Sequence, residues 1–106
     1  MTEKERKLLS ALGICAKAGG LIFGVPLICE AMRKGGSKRP RAVIEAADTS
    51  ENTHKRITDK CAYYNVKYYR ISVGSDELSA ALGKSGVVAA VALTDEQLTV
   101  LVEKNL

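Results

Sequence analysis

The chain has 106 residues, 46% of them hydrophobic and 26% charged, with a formal net charge of +4. This size predicts one domain over residues 1–106, because either half alone would bury too small a core. The composition excludes a disordered chain, and no apolar run approaches the roughly 20 residues that a membrane-spanning helix requires. Since no signal-peptide pattern follows the N-terminus, we expect a cytoplasmic protein with no membrane contact.

The first third of the chain predicts two helices joined by a short strand. Thr2-Glu3-Lys4-Glu5 has the form of a capping box, and apolar residues then recur at helical spacing as far as Gly19. An apolar stretch at residues 21–23 leads into Gly24-Val25-Pro26, where the proline fits the first turn of a second helix. We expect this helix to end at Gly35.

The rest of the chain continues to alternate between strand and helix. A buried strand is predicted over residues 42–46, followed by a second capping-box form, Asp48-Thr49-Ser50-Glu51, and a helix that ends near Asn65. The later segments are a strand over residues 66–73, a short helix capped by Ser75, a strand over residues 87–93 and a last helix capped within residues 94–97. This order predicts an α/β fold: a three-layer α/β/α sandwich with a mixed, about four-stranded sheet.

The cysteines and the histidine do not form a recognisable metal or catalytic pattern. Cys15, Cys29 and Cys61 lie in apolar helical patterns without a Cys-x-x-Cys pair, so we expect three buried, reduced thiols. His54 has no cysteine or carboxylate pattern around it in the sequence, and we expect a partly exposed helix residue. With no nucleophile, base or nucleotide loop evident, the chain is predicted to be neither an enzyme nor a cofactor-binding protein.

Basic residues are concentrated in the first half of the chain. Residues 1–41 carry nine Lys or Arg against three Asp or Glu, whereas residues 71–106 carry two against five. The glycine-rich segment over residues 33–41 holds five basic residues and no acidic one, and it can grip phosphates. A solvated basic loop after a helix explains it equally well, because cations are favoured at helix C-termini.

Two further groups of residues have simple structural interpretations. Lys55 lies four residues before Asp59 in the third helix, which favours an ion-pair face over a binding patch that includes Arg56 and Lys60. Most of the four tyrosines are expected to lie in the core, because they fall on apolar faces of the third helix and the following strand.

Several short strings follow one another along the chain in a specific order and spacing. They are Ala16-Lys17-Ala18-Gly19-Gly20, Gly24, Asp48-Thr49-Ser50-Glu51-Asn52-Thr53, Ile57-Thr58-Asp59-Lys60-Cys61, Glu77-Leu78, Leu82-Gly83-Lys84 and residues 87–95. Together they resemble the ribosomal protein L7Ae/L30e family in its short bacterial form, and the resemblance covers nearly the whole chain. It implies a three-layer sandwich that binds RNA kink-turns, which are bent internal loops with tandem sheared G·A pairs. It implies no cofactor, and it implies structured RNA such as ribosomal RNA as the partner. We also expect a monomer, with ribosomal proteins as further neighbours.

The resemblance also implies which residues contact RNA. In the family, the turn into the second helix and the loop before the last strand hold the bent RNA. The matching RNA-binding residues here are Gly24, Val25, Pro26, Leu27, Lys34, Lys84, Ser85, Gly86 and Val87. The basic residues of the long connection, Lys38, Arg39 and Arg41, are expected to be auxiliary phosphate contacts.

The turn into the second helix departs from the family's Gly-x-Asn-Glu-x-x-Lys motif. Gly24 is kept, but Pro26, Leu27 and Glu30 stand where the motif has an amide, an acid and a lysine. Proline and leucine side chains cannot hydrogen-bond base edges, and Glu30 repels a phosphate. Three hypotheses stay open: altered RNA recognition, weak RNA binding through residues 84–87 and nearby basic residues, or a protein-interaction module that has lost kink-turn specificity. An unrecognised small enzyme is the least favoured alternative.

Overall fold

The computed structural model describes all 106 residues, and helices alternate with strands as predicted. The five helices are α1 (Glu3–Lys17), α2 (Val25–Lys34), α3 (Glu51–Tyr64), α4 (Ser75–Ala81) and α5 (Glu96–Glu103). The four strands are β1 (Leu21–Phe23), β2 (Ala42–Glu45), β3 (Lys67–Arg70) and β4 (Ala90–Leu93). None of the helices combines the length and apolarity that crossing a membrane requires.

The strands form one mixed sheet between two layers of helices, which confirms the predicted sandwich. The sheet order is β1-β4-β2-β3, with β2 and β3 parallel and β4 antiparallel to both of its neighbours. Successive residues of β4 face opposite layers: Ala90 and Ala92 pack with α2 and α3, whereas Val91 and Leu93 pack with the other helices. Both faces of β4 are therefore buried, which explains its continuous apolar sequence.

The cap of α1 forms at the predicted residue, the caps of α3 and α5 lie inside the predicted four-residue segments but not at their first residues, and the cap of α4 differs. Thr2 and Glu5 form the predicted capping box, and the Asp95 carboxylate accepts the Leu98 N–H at 2.9 Å. In Asp48-Thr49-Ser50-Glu51, Ser50 caps α3 instead of Asp48.

Asp48 instead connects the loop after β2 to the start of α4. Its carboxylate accepts hydrogen bonds from the backbone N–H and hydroxyl of Ser75, at 2.9 and 3.0 Å. These hydrogen bonds lower the pKa of Asp48, because they stabilise its ionised form. The expectation that Ser75 caps α4 was wrong, since Ser75 is its first helical residue and Gly74 precedes it as the cap.

Two strands are shorter than predicted. β3 covers Lys67–Arg70, although Ile71 and Val73 beyond it are buried. β4 begins at Ala90 because the backbone N–H of Val88 bonds the Ser79 hydroxyl at 2.7 Å instead of a neighbouring strand. The apolar run over residues 87–93 thus contains an irregular segment before the strand.

The three cysteines are free thiols, but they are not equally buried. Cys15 and Cys61 are buried, as expected, and burial raises the pKa of both, that of Cys61 to about 11. The prediction was wrong for Cys29, which is only partly buried. Its neighbour Ile28 points into the core, and Cys29 lies at the margin of the same helix face.

The directions of the strands define two ends of the sheet. At the Gly24 end, β1 and β2 finish and β4 begins: Gly24 donates its N–H to the Ala90 carbonyl at 3.1 Å, and Ala46 donates to Ala89 at 2.8 Å. At the Arg41 end, the N–H of Arg41 donates to the Leu93 carbonyl at 2.7 Å. Helices α2 and α3 both run from the Gly24 end to the Arg41 end.

Candidate nucleic-acid interface

The junction between β1 and α2 exposes the start of a helix. Gly24 precedes α2 with a φ of 90°, a left-handed conformation that glycine adopts without strain. No side chain caps α2, and Pro26 in the first turn has no N–H of its own. The remaining N–H groups of this turn, with the positive end of the helix dipole, therefore face outward and favour an anion.

The loop between α4 and β4 lies against this junction. Both of its ends are tied to Ser79: the Lys84 N–H donates to the Ser79 carbonyl at 2.9 Å, and the Val88 N–H donates to its hydroxyl. The Lys84 ammonium lies 4.2 Å from the centre of the Phe23 ring, a cation–π contact across the two segments. The structure thus brings together residues 24–27 and residues 84–87, which the sequence separates by about 60 positions.

The two segments that meet at the Lys84 ammonium also carry exposed apolar side chains. Leu27 is 56% exposed on the first turn of α2, and Val87 is 73% exposed at the end of the loop. Ser85 and Gly86 are exposed between Lys84 and Val87. The Gly24 end therefore combines one ammonium, free backbone donors and two apolar tips.

Lys34 does not lie with these residues. It occupies the last turn of α2, and nine residue steps of 1.5 Å place it roughly 13 Å along the helix from Val25. Its ammonium pairs with the Glu30 carboxylate at 3.3 Å, and both side chains are largely exposed. The structure therefore separates Lys34 from the other residues predicted for the turn.

The basic loop also lies apart from the turn, at the Arg41 end. The Arg41 Nε donates to the Thr94 carbonyl at 3.2 Å, and Arg39 donates a guanidinium hydrogen to Gly36 at 3.2 Å. Lys38 is exposed. Lys38, Arg39 and Arg41 are thus displaced from the Gly24 end by the full length of the sheet.

A buried carboxylate, which sequence reasoning missed, lies beside the Gly24 end. Glu45 is 0% exposed, and its oxygens lie 2.9 and 3.0 Å from the Nδ1 atom of His54. The Tyr68 hydroxyl donates to Glu45 at 2.8 Å, and the Arg70 Nε lies 3.4 Å from it. The partial exposure predicted for His54 is confirmed. The sequence pattern around His54 did not show its contact with Glu45, which lies nine positions earlier on another element.

Both carboxylate oxygens of Glu45 have polar partners. An unpaired buried carboxylate is costly, and here two basic side chains and a hydroxyl compensate for its burial. Burial and the hydrogen bond to Glu45 raise the pKa of Tyr68. One acid within the apolar strand Ala42–Glu45 was the sequence signal for such a network, because a buried acid requires partners.

The network does not form a catalytic or metal-binding arrangement. No Ser, Thr or Cys side chain hydrogen-bonds the His54 imidazole, whose partners are Glu45 and Tyr68. A nucleophile–base pair is therefore not formed. No group of three or more His, Cys, Asp or Glu side chains is arranged to hold a metal ion.

The protein is a small α/β/α domain with a mixed sheet between two layers of helices. At the Gly24 end, a loop that carries Lys84 lies against the uncapped start of α2, an arrangement that favours an anion. The chain belongs to the ribosomal protein L7Ae/L30e/S12e/Gadd45 family, which it matches over residues 6–102. This membership confirms the family expected from the sequence.

Relatives and solved structures agree with this assignment. The chain is 34% identical over 85 residues to RNA-binding protein YlxQ of Bacillus subtilis (strain 168), with 80% of each chain covered. It is 33% identical over 85 residues to RNA-binding protein YlxQ of Enterococcus faecium, with 79% of each covered. A Bacillus halodurans C protein of unknown function superposes with a TM-score of 0.78 at 27% identity, covering 92% of this chain and 97% of that one. The Giardia lamblia 15.5kD RNA binding protein has the same fold, with a TM-score of 0.75 at 18% identity over 99% of this chain and 86% of its own.

Proposed function

We propose that this protein binds structured RNA at the Gly24 end, through residues 24–27 and residues 84–87. The observation that carries the proposal is the contact of the Lys84 ammonium with the Phe23 ring, which joins the two segments into one surface. The relatives named as RNA-binding proteins support the same partner.

The chemistry of this surface suits bent RNA with unstacked bases. Lys84 and the free N–H groups at the start of α2 attract a phosphate. The apolar tips of Leu27 and Val87 pack against the faces of bases that have left the helical stack, as in a kink-turn. Kink-turn-like RNA, such as a ribosomal RNA segment, is therefore the target class that we propose.

Base-edge recognition is expected to be weak, because the side chains that would supply it are missing. Pro26 and Leu27 offer no side-chain hydrogen bonds, and Glu30 carries a charge that repels phosphate. Lys34, Lys38, Arg39 and Arg41 serve as auxiliary phosphate contacts for RNA that reaches the Arg41 end. We further propose a monomeric, non-enzymatic, cytoplasmic protein.

The test compares alanine variants at the two ends on one kink-turn RNA. We expect Lys84→Ala to weaken binding by about tenfold or more, since a hydrogen bond to a charged group contributes ~1.5–3 kcal/mol. Arg39→Ala should weaken it less, and each variant should lower the slope of log K against log salt by about one.

Two controls accompany the alanine variants. Lys104→Ala removes an exposed lysine that we assign to neither end, and it should leave the slope unchanged. A straight duplex RNA shows how much of the binding is independent of the bend. A large loss for Arg39→Ala with none for Lys84→Ala would contradict the proposed site.

A protein partner at the Gly24 end is the second candidate, favoured by the exposure of Leu27 and Val87. An apolar contact buries area with little response to salt, whereas RNA affinity falls steeply as salt rises. RNA binding that is absent at low salt would favour the protein partner. So would an RNA affinity that stays constant between about 50 and about 200 mM salt, the range over which binding through phosphate contacts weakens.

A further inference from the structure

The outer face of α3 carries a shallow groove whose cations are only partly paired. Lys55 pairs with Asp59 at 2.8 Å, which confirms the ion pair expected from the sequence. Arg56 and Lys60, one helical turn apart, form no salt bridge or side-chain hydrogen bond. We call this the α3 groove; it is lined by Asn52, Lys55, Arg56, Asp59, Lys60, Tyr63 and Tyr64.

An exposed aromatic ring lies at the far end of the α3 groove. Tyr63 is 80% exposed, whereas the other three tyrosines, Tyr64, Tyr68 and Tyr69, are partly buried against the two cores. Its ring meets Tyr64 edge to face, with centroids 4.8 Å apart and planes at 80°. Because Tyr64 supports it from one side, the Tyr63 ring is held in place and presents a face to solvent.

A second groove continues from Tyr64 to the basic loop at the Arg41 end. We call it the end groove; its walls include Arg39, Arg41, Tyr64, Lys67, Glu96 and Glu103. Lys67 pairs with Glu103 at 3.1 Å, whereas Arg39, Arg41 and Glu96 form no ion pair. The two grooves together therefore hold four unpaired cations against one unpaired acid, Glu96.

We propose that the α3 groove and the end groove form a second RNA surface, which takes a single-stranded RNA segment. Arg56, Lys60 and Arg39 contact phosphates, and Tyr63 stacks on an unpaired base, the combination that single-strand binding requires. α3 starts at the Gly24 end and is about 20 Å long, so a strand leaving that end can follow the helix to the basic loop.

The proposal deepens the proposed function and rests on RNA as the partner, but on different residues. RNA fits this surface better than a protein does, because Tyr63 is the one large apolar side chain exposed on α3. A protein interface would need an apolar centre around it. The unpaired cations instead match a continuous line of phosphates.

The experiment compares a blunt kink-turn hairpin, the same hairpin with a single-stranded extension, and the single strand alone. The extension should increase the affinity of the unaltered protein by about tenfold or more, because it adds one base stacked on Tyr63 and two phosphates bound by Arg56 and Lys60. The double variant Arg56→Ala/Lys60→Ala should lose this gain, keep its affinity for the blunt hairpin, and lower the salt slope on the single strand by about 1.4.

Variants of the aromatic ring separate stacking from charge. Tyr63→Ala should weaken binding of the extended RNA by ~5-fold to 100-fold, whereas Tyr63→Phe keeps the ring and should bind like the unaltered protein. Lys4→Ala/Lys7→Ala on α1 removes the same charge from another helix and should have no effect beyond a small salt-dependent loss.

Each outcome distinguishes this proposal from the proposed function. Binding of the single strand without binding of the blunt hairpin would support the second surface and contradict the site at the Gly24 end. The second surface is wrong if the extension adds no affinity, or if the α3 variants and the α1 variant lose equal amounts. Unchanged RNA affinities in all α3 variants would likewise overturn the second surface.

Discussion

At the scale of single residues, Glu45 has the most demanding environment in the molecule. Its carboxylate is 0% exposed and depends on His54, Tyr68 and Arg70 for compensation. The same three side chains lose their common acceptor if the carboxylate is removed. The stability of the end of β2 should therefore depend on this one residue.

We predict that Glu45→Ala lowers the free energy of unfolding by ~1–3 kcal/mol, because it removes the common acceptor of His54, Tyr68 and Arg70 and leaves their donors unsatisfied. Urea denaturation followed by circular dichroism measures the change. Glu30→Ala is the matched control: its carboxylate pairs with Lys34 in solvent, so it should cost no more than ~1 kcal/mol. Equal losses for the two variants would contradict the role assigned to Glu45.

The cysteines allow a second prediction at this scale. During brief labelling with a thiol reagent at a pH of about 8, Cys29 should react first, because the thiolate is the reactive form and Cys29 is the least buried. Cys61 should react far more slowly, since burial raises its pKa to about 11. Peptide mass spectrometry identifies the labelled sites, and in urea all three thiols should react at similar rates. Early labelling of Cys61 in the native protein would contradict its burial.

At the scale of elements, the start of α2 is the part of the proposed RNA site that departs most from the family motif. Gly24 and the uncapped first turn offer backbone donors, but the side chains at the motif positions do not hydrogen-bond bases. Backbone donors contact phosphates and carry no information about sequence. We therefore expect the specificity of the proposed site to depend on residues 84–87 and on RNA shape.

Restoring the motif should increase affinity for a kink-turn. The triple variant Pro26→Asn, Leu27→Glu and Glu30→Lys supplies base-edge hydrogen bonds and a phosphate contact, each contributing ~1–3 kcal/mol, so binding should strengthen by tenfold or more. Binding to a straight duplex, measured in parallel, should change little. An unchanged kink-turn affinity would mean that these three positions do not face the RNA.

The short helix α4 owes its position to tertiary hydrogen bonds. Asp48 holds its start through Ser75, and Ser79 holds the loop that follows it through Val88. A seven-residue helix is marginal without such support. The placement of Lys84 therefore depends on residues of a distant loop.

Acid should weaken this connection, because protonation removes the charge of the Asp48 carboxylate that the hydrogen bonds from Ser75 stabilise. The pKa of Asp48 lies below its ordinary value of 3.8, so the stability that it contributes is present above that pH and is lost as the pH falls through the lowered pKa. In Asp48→Asn, the stability measured between about pH 5 and pH 2 should fall less steeply with acid. A curve parallel to that of the unaltered protein would show that the hydrogen bonds to Ser75 do not depend on charge.

At the scale of the whole molecule, one sheet separates two hydrophobic cores. Leu12 belongs to the core under α1, α4 and α5, and Ile57 belongs to the core under α2 and α3. Both side chains are buried, and they share no core cluster. The sheet nevertheless contributes residues to both cores, so the two layers should unfold together.

We predict that Leu12→Ala and Ile57→Ala each lower the free energy of unfolding by ~2–5 kcal/mol in a single transition. In the double variant the losses should add to within ~0.5 kcal/mol, because the two residues lie in different core clusters on opposite faces of the sheet. Urea unfolding followed by circular dichroism and by tyrosine fluorescence tests this. Two separate transitions would mean that the layers unfold independently.

The sequence by itself determined what depends on residues a few positions apart. The capping box of Thr2 and Glu5, the cap at Asp95 and the ion pair of Lys55 with Asp59 all join residues within four positions, and all form as predicted. The order of helices and strands likewise follows from local periodicity. The two segments of the proposed RNA site, by contrast, were expected from family resemblance, because neither contains a motif that specifies RNA by itself.

Only the tertiary structure decided which distant residues meet. The sequence contains Glu45, His54, Tyr68 and Arg70, but the pairing of β2 with β3 and the packing of α3 on them bring these side chains together. The same packing leaves Tyr63 exposed while Cys61, two residues earlier, is buried. Local periodicity indicates which face of a helix is apolar. It does not show how much of that face the neighbouring elements cover, and this coverage decides whether a residue at its edge is buried.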